Sequence, residues 1–143
     1  MKKKACKSKK KTIKSKEKSS SKKKKILIIE DEKILAEMYD NKFTKAGFKV
    51  VLAYDSEEGI KIAKKEKPDL IVLDILLPSE NGITFLSWLK KDPKISSIPV
   101  VVFSNYDDPE TKKEAEEFGV KDYLIKANYT PQAIVKKIKS YLK

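Results

Sequence analysis

Polar residues of defined types stand directly behind short apolar runs. Glu30, Asp31 and Glu32 follow Ile26–Ile29, Asp74 follows Leu70–Leu73, Ser104 and Asn105 follow Val100–Phe103, and Lys126 follows Tyr123–Ile125. Brought together, these groups would form a site for a hard cation and for phosphoryl chemistry. Glu30, Asp31 and Asp74 could not all stay ionised at close quarters without a cation, because like charges resist joint ionisation. Oxygen ligands of this kind favour Mg²⁺. Asp74, at the end of a buried strand, can act as a nucleophile. Lys126 and Ser104 can hold phosphoryl oxygens, one by charge and one by hydrogen bond. Singly, each residue has an ordinary explanation: a solvated acid, a helix cap, a turn serine, a surface lysine. Four strand ends carrying complementary types point instead to phosphoryl transfer onto an aspartate.

The convergence depends on the elements. Ile26–Ile29, Val50–Ala53, Leu70–Leu73, Val100–Phe103 and Tyr123–Ile125 are short apolar runs without alternation, as expected for strands buried on both faces of a parallel sheet. Helical patterns separate them. Leu35, Met38, Phe43 and Ala46 share a face that Gly47 terminates, and Asp55 and Glu58 have capping-box spacing before Ile60 and Ala63. Ile83, Leu86 and Leu89 form a stripe ending before Pro93. Asp108-Pro109 and Thr130-Pro131 each place proline at a first helical position, the second ahead of Ile134, Val135, Ile138 and Leu142. Strict alternation predicts an α/β fold: a doubly wound (βα)5 parallel sheet, flavodoxin-like, of strand order 2-1-3-4-5. Ligands in such sheets sit beyond the carboxyl ends of the strands, where the polar residues stand.

Composition narrows the function classes. The 143 residues carry a formal net charge of +12, but residues 1–25 hold 14 Lys and one Glu, whereas residues 26–143 hold 19 Lys and 20 acidic residues. The chain therefore reads as a Lys-rich tail, 1–22, predicted to be disordered because it lacks the apolar surface to offset ordering entropy, and a near-neutral domain, 23–143. The tail is either a solubilising extension or an electrostatic arm for a polyanion such as nucleic acid. No apolar run is long enough for a membrane span, and no apolar segment follows the basic N-terminus as a secretory signal would require. The single cysteine, Cys6, excludes an intrachain disulfide framework and fits a reducing, cytoplasmic setting. The absence of histidine excludes Ser-His-Asp catalysis and His-ligated zinc.

With these pieces in place, residues 24–143 resemble a response-regulator receiver domain of two-component signalling. The resemblance is carried by Ile26–Glu32, by Pro68–Pro78 with Gly82, by Val100–Ser104 and by Asp122–Lys126. It implies that Asp74 is the phosphoacceptor and that Glu30 and Asp31 bind Mg²⁺, with the Leu76 backbone carbonyl as a further ligand. It implies that Ser104 turns toward the phosphoryl group, that Lys126 contacts it, and that Tyr123 is an aromatic rotamer switch. The implied partners are a sensor histidine kinase or phosphotransfer protein and a downstream protein. The implied role is that of a signalling module acting only on its own phosphorylation state, not an enzyme toward other substrates. With no output domain among these residues, the sequence is expected to be a stand-alone receiver.

Two positions depart from the family pattern. Ala127 follows the lysine where proline is usual, often after a cis bond, and Asn105 follows Ser104 where Ala or Gly is common. These departures put the geometry of the Lys126 loop and access to the acceptor in question. An aspartate-nucleophile phosphatase is the enzymatic alternative, but it would carry a second Asp two residues after the nucleophile, where Leu76 stands. A nucleic-acid-associated adaptor acting through the tail is the other alternative. Lys126, read as a strand-end residue, is expected to carry little packing.

Overall fold

The computed structural model describes residues 23–142. The tail 1–22, with its predicted disorder and polyanion binding, lies outside the described residues. Five strands form one parallel sheet in the order β2-β1-β3-β4-β5: β1 Lys25–Ile29, β2 Lys49–Ala53, β3 Leu70–Leu73, β4 Val100–Ser104 and β5 Asp122–Ile125. The helices are α1 Lys33–Lys45, α2 Ser56–Glu66, α3 Gly82–Lys91, α4 Pro109–Glu117 and α5 Pro131–Tyr141, with a 3₁₀ turn at Lys126–Asn128.

The lack of alternation in the strands now has its explanation. Ile26 and Ile28 of β1 pack with Tyr39, Phe43, Ile134 and Ile138 of α1 and α5. Leu27 and Ile29 point the other way, toward Ala63, Phe85, Leu86 and Leu89 of α2 and α3. The strand interiors are apolar throughout because both sheet faces are covered by helices, and the polar strand residues Lys25, Lys49, Ser104 and Asp122 stand at strand ends. In α1 the buried residues are Ala36, Tyr39 and Phe43, with Leu35, Met38 and Ala46 at the flanks, so the face centres one position later than the spacing suggested. Tyr39 is drawn inward by an edge contact with Phe103 of β4, a partner that helix periodicity cannot reveal.

Every α-helix among the described residues except α1 starts at a capping side chain. Asp55, Asn81, Asp108 and Thr130 each accept a hydrogen bond from the backbone N–H three residues on. Glu58 reaches back past the cap and accepts from the Tyr54 N–H at 2.8 Å.

The segment between β3 and α3 is held tightly. Gly82 N–H donates to the Ile75 carbonyl at 2.8 Å, and the Ser56 hydroxyl donates to the Glu80 carbonyl at 2.9 Å. A Cβ on Gly82 would lie 2.6 Å from the Asp74 carbonyl oxygen and 2.9 Å from the Ile75 Cα, both backbone atoms that cannot yield cheaply. Gly82→Ala is therefore expected to cost about 1–3 kcal/mol, measurable by denaturant unfolding, and to shift backbone resonances of Asp74 and Ile75. Unchanged stability and resonances would show that the loop relaxes freely.

Candidate functional site

All strands run in one direction, so their carboxyl ends meet at one edge. Ile29 of β1 pairs with Leu73 of β3, Leu73 with Val102 of β4, and Ser104 with Ile125 of β5. The ladder runs one residue further at the acids: Glu30 N–H donates to the Ala53 carbonyl at 3.0 Å and Asp74 N–H to the Ile29 carbonyl at 3.1 Å. The backbones of both carboxylates are thus part of the sheet and not of a free loop. Glu30, Asp31 and Asp74 each offer a carboxylate oxygen, and these oxygens lie within 4.8 Å of one another. Glu30 is 3% exposed and Asp74 7%, whereas Asp31 is exposed. A cavity of about 300 Å³ opens over them, lined also by Leu76, Ser104, Asn105 and Lys126.

Lys126 closes the site from the first residue after β5. Its Nζ donates to Glu30 and, at 3.0 Å, to Asp74 Oδ2. Its side chain is 11% exposed, so it is the counter-ion of two buried carboxylates and carries more than a strand-end lysine would. Burial alone would pull its pKa down, but the hydrogen bond to Glu30 and the charges of Asp74 and Glu30 outweigh it and hold the ammonium above its ordinary value. Burial pushes the Glu30 carboxyl above the usual range, the Lys126 hydrogen bond and charge oppose this, and the charge of Asp74 adds to it. One ammonium ion thus leaves three crowded carboxylates short of positive charge. The donors are all oxygen, the arrangement that suits a hard divalent cation.

The remaining site residues form a chain of contacts. Ser104 is fully buried, and its Oγ accepts from the Tyr106 N–H at 3.2 Å. The Tyr106 carbonyl accepts from the Tyr123 hydroxyl at 2.5 Å. Tyr123 is half-buried; burial, then the charges of Asp107 and Asp74, push its phenol pKa up to about 12, so it remains a neutral donor. Leu76 N–H donates to Asp74 Oδ1 at 3.3 Å, and its side chain, 55% exposed, stands at the cavity mouth.

The two departures noted in the sequence meet in space. Asn105 Oδ1 accepts from the Ala127 N–H at 2.9 Å. A proline at 127 would have no N–H to donate, and Ala or Gly at 105 would have no side-chain acceptor. The bond adds a rung beyond the last β4–β5 pair and ties the backbone next to Lys126 to the Ser104 loop. No peptide bond among the described residues is cis. The sequence holds the signal for this rung, two unusual residues one place past paired strand ends, but only once the register is known. Asn105→Ala is expected to speed amide exchange at Ala127 by about 2–10-fold, the equivalent of one exposed hydrogen bond of ~0.5–1.5 kcal/mol, with no change at core amides. Equal exchange in both proteins would show that the rung does not restrain the loop.

A family model for the response regulator receiver domain matches residues 26–139. The chain is 39% identical over 100 residues to the uncharacterized transcriptional regulatory protein YcbL of Bacillus subtilis, covering 70% of this chain and 43% of that protein. It is 33% identical over 118 residues to the phosphate regulon transcriptional regulatory protein PhoB of Escherichia coli, covering 82% and 51%. It thus spans about half the length of the curated relatives it matches. Among solved structures, a putative response regulator from Chloroflexus aurantiacus superposes with a TM-score of 0.74 at 30% identity, covering 83% of this chain and 97% of that one. The Mn²⁺-bound form of response regulator Rcp1 superposes with a TM-score of 0.72 at 25% identity, covering 83% and 94%.

Proposed function

The chain belongs to the response regulator receiver domain family, and on that premise we propose that it accepts a phosphoryl group on Asp74 from a sensor histidine kinase or a phosphotransfer protein and thereby switches a protein-binding surface. The observation that carries this reading is the cavity in which Asp74 shares Lys126 with Glu30 beside Asp31.

In the proposed reaction an Asp74 carboxylate oxygen attacks phosphorus. The new O–P bond forms as the P–N bond to the donor histidine breaks, and the imidazole takes up a proton. Lys126, already 3.0 Å from Asp74 Oδ2, holds the added oxygens by charge. Glu30, Asp31, Asp74 and the Leu76 carbonyl are the proposed holders of Mg²⁺, which when bound would supply the remaining positive charge to the phosphoryl oxygens. That response regulator Rcp1 has an Mn²⁺-bound form supports a divalent ion as a ligand of this chain.

Ser104 couples the chemistry to the surface. A rotation of its side chain that carries the hydroxyl toward a phosphoryl oxygen also moves the Oγ that accepts from the Tyr106 N–H. Tyr106 is also the residue whose carbonyl holds the Tyr123 hydroxyl. A shift of the Ser104–Tyr106 loop is therefore passed to Tyr123, the proposed switch on β5. We place the protein in the cytoplasm, where such kinases present their donor groups; among the described residues no helix is long and apolar enough to cross a membrane. On this reading the protein is not an enzyme toward other substrates. The phosphatase alternative loses its general acid, because Leu76 occupies that position.

The test is incubation of the chain with Mg²⁺ and a small-molecule phosphodonor, followed by intact mass measurement. The gain of a single phosphoryl group is the expected outcome, and an unchanged mass overturns the reading.

A further inference from the structure

Helices α1 and α5 pack against each other on one face of the sheet. Between them lies a groove of about 420 Å³ lined by Lys42, Lys45, Lys136 and Lys139 over a floor that includes Ala46 and Val135. A second hollow, of about 320 Å³, shares Ala46 and Lys139 with it and adds Lys23 and Lys24 at the entry to β1. Neither lining contains a carboxylate. None of these six lysines belongs to an ion pair among the described residues.

This segregation is not a consequence of bulk composition. Residues 26–143 are near neutral, with 19 Lys against 20 acidic residues, yet no Asp or Glu occurs from Tyr123 to Lys143. The acids gather elsewhere, as at Glu110, Glu114 and Glu117 of α4. A one-signed groove focuses its field on an approaching anion. Its cationic character also continues along the chain: residues 1–22, which join the domain at Lys23, contain 11 Lys and one Glu.

We propose that the α1–α5 groove is a docking surface for the phosphate backbone of nucleic acid, continuous in charge with the Lys-rich N-terminal segment. Lysines at i and i+3 on both rims (42 and 45, 136 and 139) present rows of compact point charges, which suit a polymer of regular, dense negative charge. The chain contains no arginine, so the surface is built of lysine point charges alone, which neutralise successive backbone phosphates without bidentate readout of any one group. No aromatic residue lines the α1–α5 groove to stack on bases, so binding is sequence-blind. The hollow at Lys23 and Lys24 lies at the amino ends of the strands, opposite the Asp74 cavity, so phosphoacceptor chemistry and docking use separate surfaces. The proposal does not depend on the phosphoacceptor reading.

The test uses the full chain and a short fluorescent DNA duplex of arbitrary sequence, with anisotropy titrations across ~50–200 mM salt. The variant is Lys136→Glu with Lys139→Glu. The control is Lys61→Glu with Lys65→Glu on α2, which makes the same change in net charge on the other sheet face. The groove variant is expected to lower the slope of log K against log salt by about 2, at ~0.9 per lost phosphate contact, and to weaken binding at least ~10-fold near 100 mM salt. The α2 variant should stay close to wild type. Equal loss in the two variants, or none in either, overturns the groove and leaves the N-terminal segment as the only contact. Tighter binding to polyglutamate or to anionic lipid vesicles than to the duplex overturns the nucleic-acid assignment. Should the groove variant fail to fold by circular dichroism, Lys42→Gln with Lys45→Gln on the opposite rim carries the same expectation.

Discussion

Asp74→Asn is expected to abolish the mass gain produced by Mg²⁺ and a small phosphodonor while leaving the fold intact. The substitution exchanges one carboxylate oxygen for an amide nitrogen of nearly the same size. The amide is no longer a nucleophile toward phosphorus, so the loss should be complete and not graded. The fold should tolerate it, because the Asp74 backbone is held by the sheet through the Ile29 carbonyl and Asn can still accept from the Leu76 N–H. It also eases the crowding with Glu30 and Asp31 but puts an amide nitrogen, which cannot accept, where Oδ2 accepts from Lys126 Nζ, so thermal stability should change little. Labelling of the Asn variant equal to that of wild type would move the acceptor to another residue.

Lys126→Ala should have the largest effect on stability among the site residues. A strand-end lysine would be dispensable, but this one is 11% exposed and bonded to both Glu30 and Asp74. Its removal leaves two buried carboxylates facing each other without their cation. Breaking a fully buried pair costs about 3–5 kcal/mol; this cavity opens to solvent and its acids can take up protons, so a loss on the order of 2–3 kcal/mol is expected. At ~4 °C per kcal/mol for a domain of this size, the melting temperature should fall by about 10 °C. Mg²⁺ should stabilise the variant more than wild type, because an ion bound only by the folded site then supplies the missing charge. Melting curves with and without Mg²⁺ measure both effects. A variant as stable as wild type in the absence of Mg²⁺ would show that the ion pairs contribute nothing net. In the variant, phosphoryl uptake can persist, but its effect on the Tyr123 contact should be lost.

The sequence by itself determined the architecture. Five unalternating apolar runs separated by amphipathic segments specify a parallel sheet covered on both faces, and the observed order β2-β1-β3-β4-β5 is the one expected of a doubly wound sheet of this size, a rule of topology and not of local pattern. It also determined which residues stand at the carboxyl edge, because Glu30, Asp74, Ser104 and Lys126 each directly follow or close a strand. Strand ends in a parallel sheet converge whatever the helices do, so the membership of the site was legible before its geometry. The tertiary structure decided what these residues do to one another. That Lys126 bridges Glu30 and Asp74, two residues that precede it by 96 and 52 positions, depends on β1 and β3 lying side by side with β5 two strands away. The Asn105–Ala127 rung and the Ser104–Tyr106–Tyr123 chain depend on the β4–β5 register, which pairs Ser104 with Ile125. The lysine-lined groove needs α1 and α5 on the same sheet face. Local pattern reports which side of an element is buried and where it stops. It carries no record of which distant element supplies the counter-charge or the hydrogen-bond acceptor, because those partners are set by strand order and register.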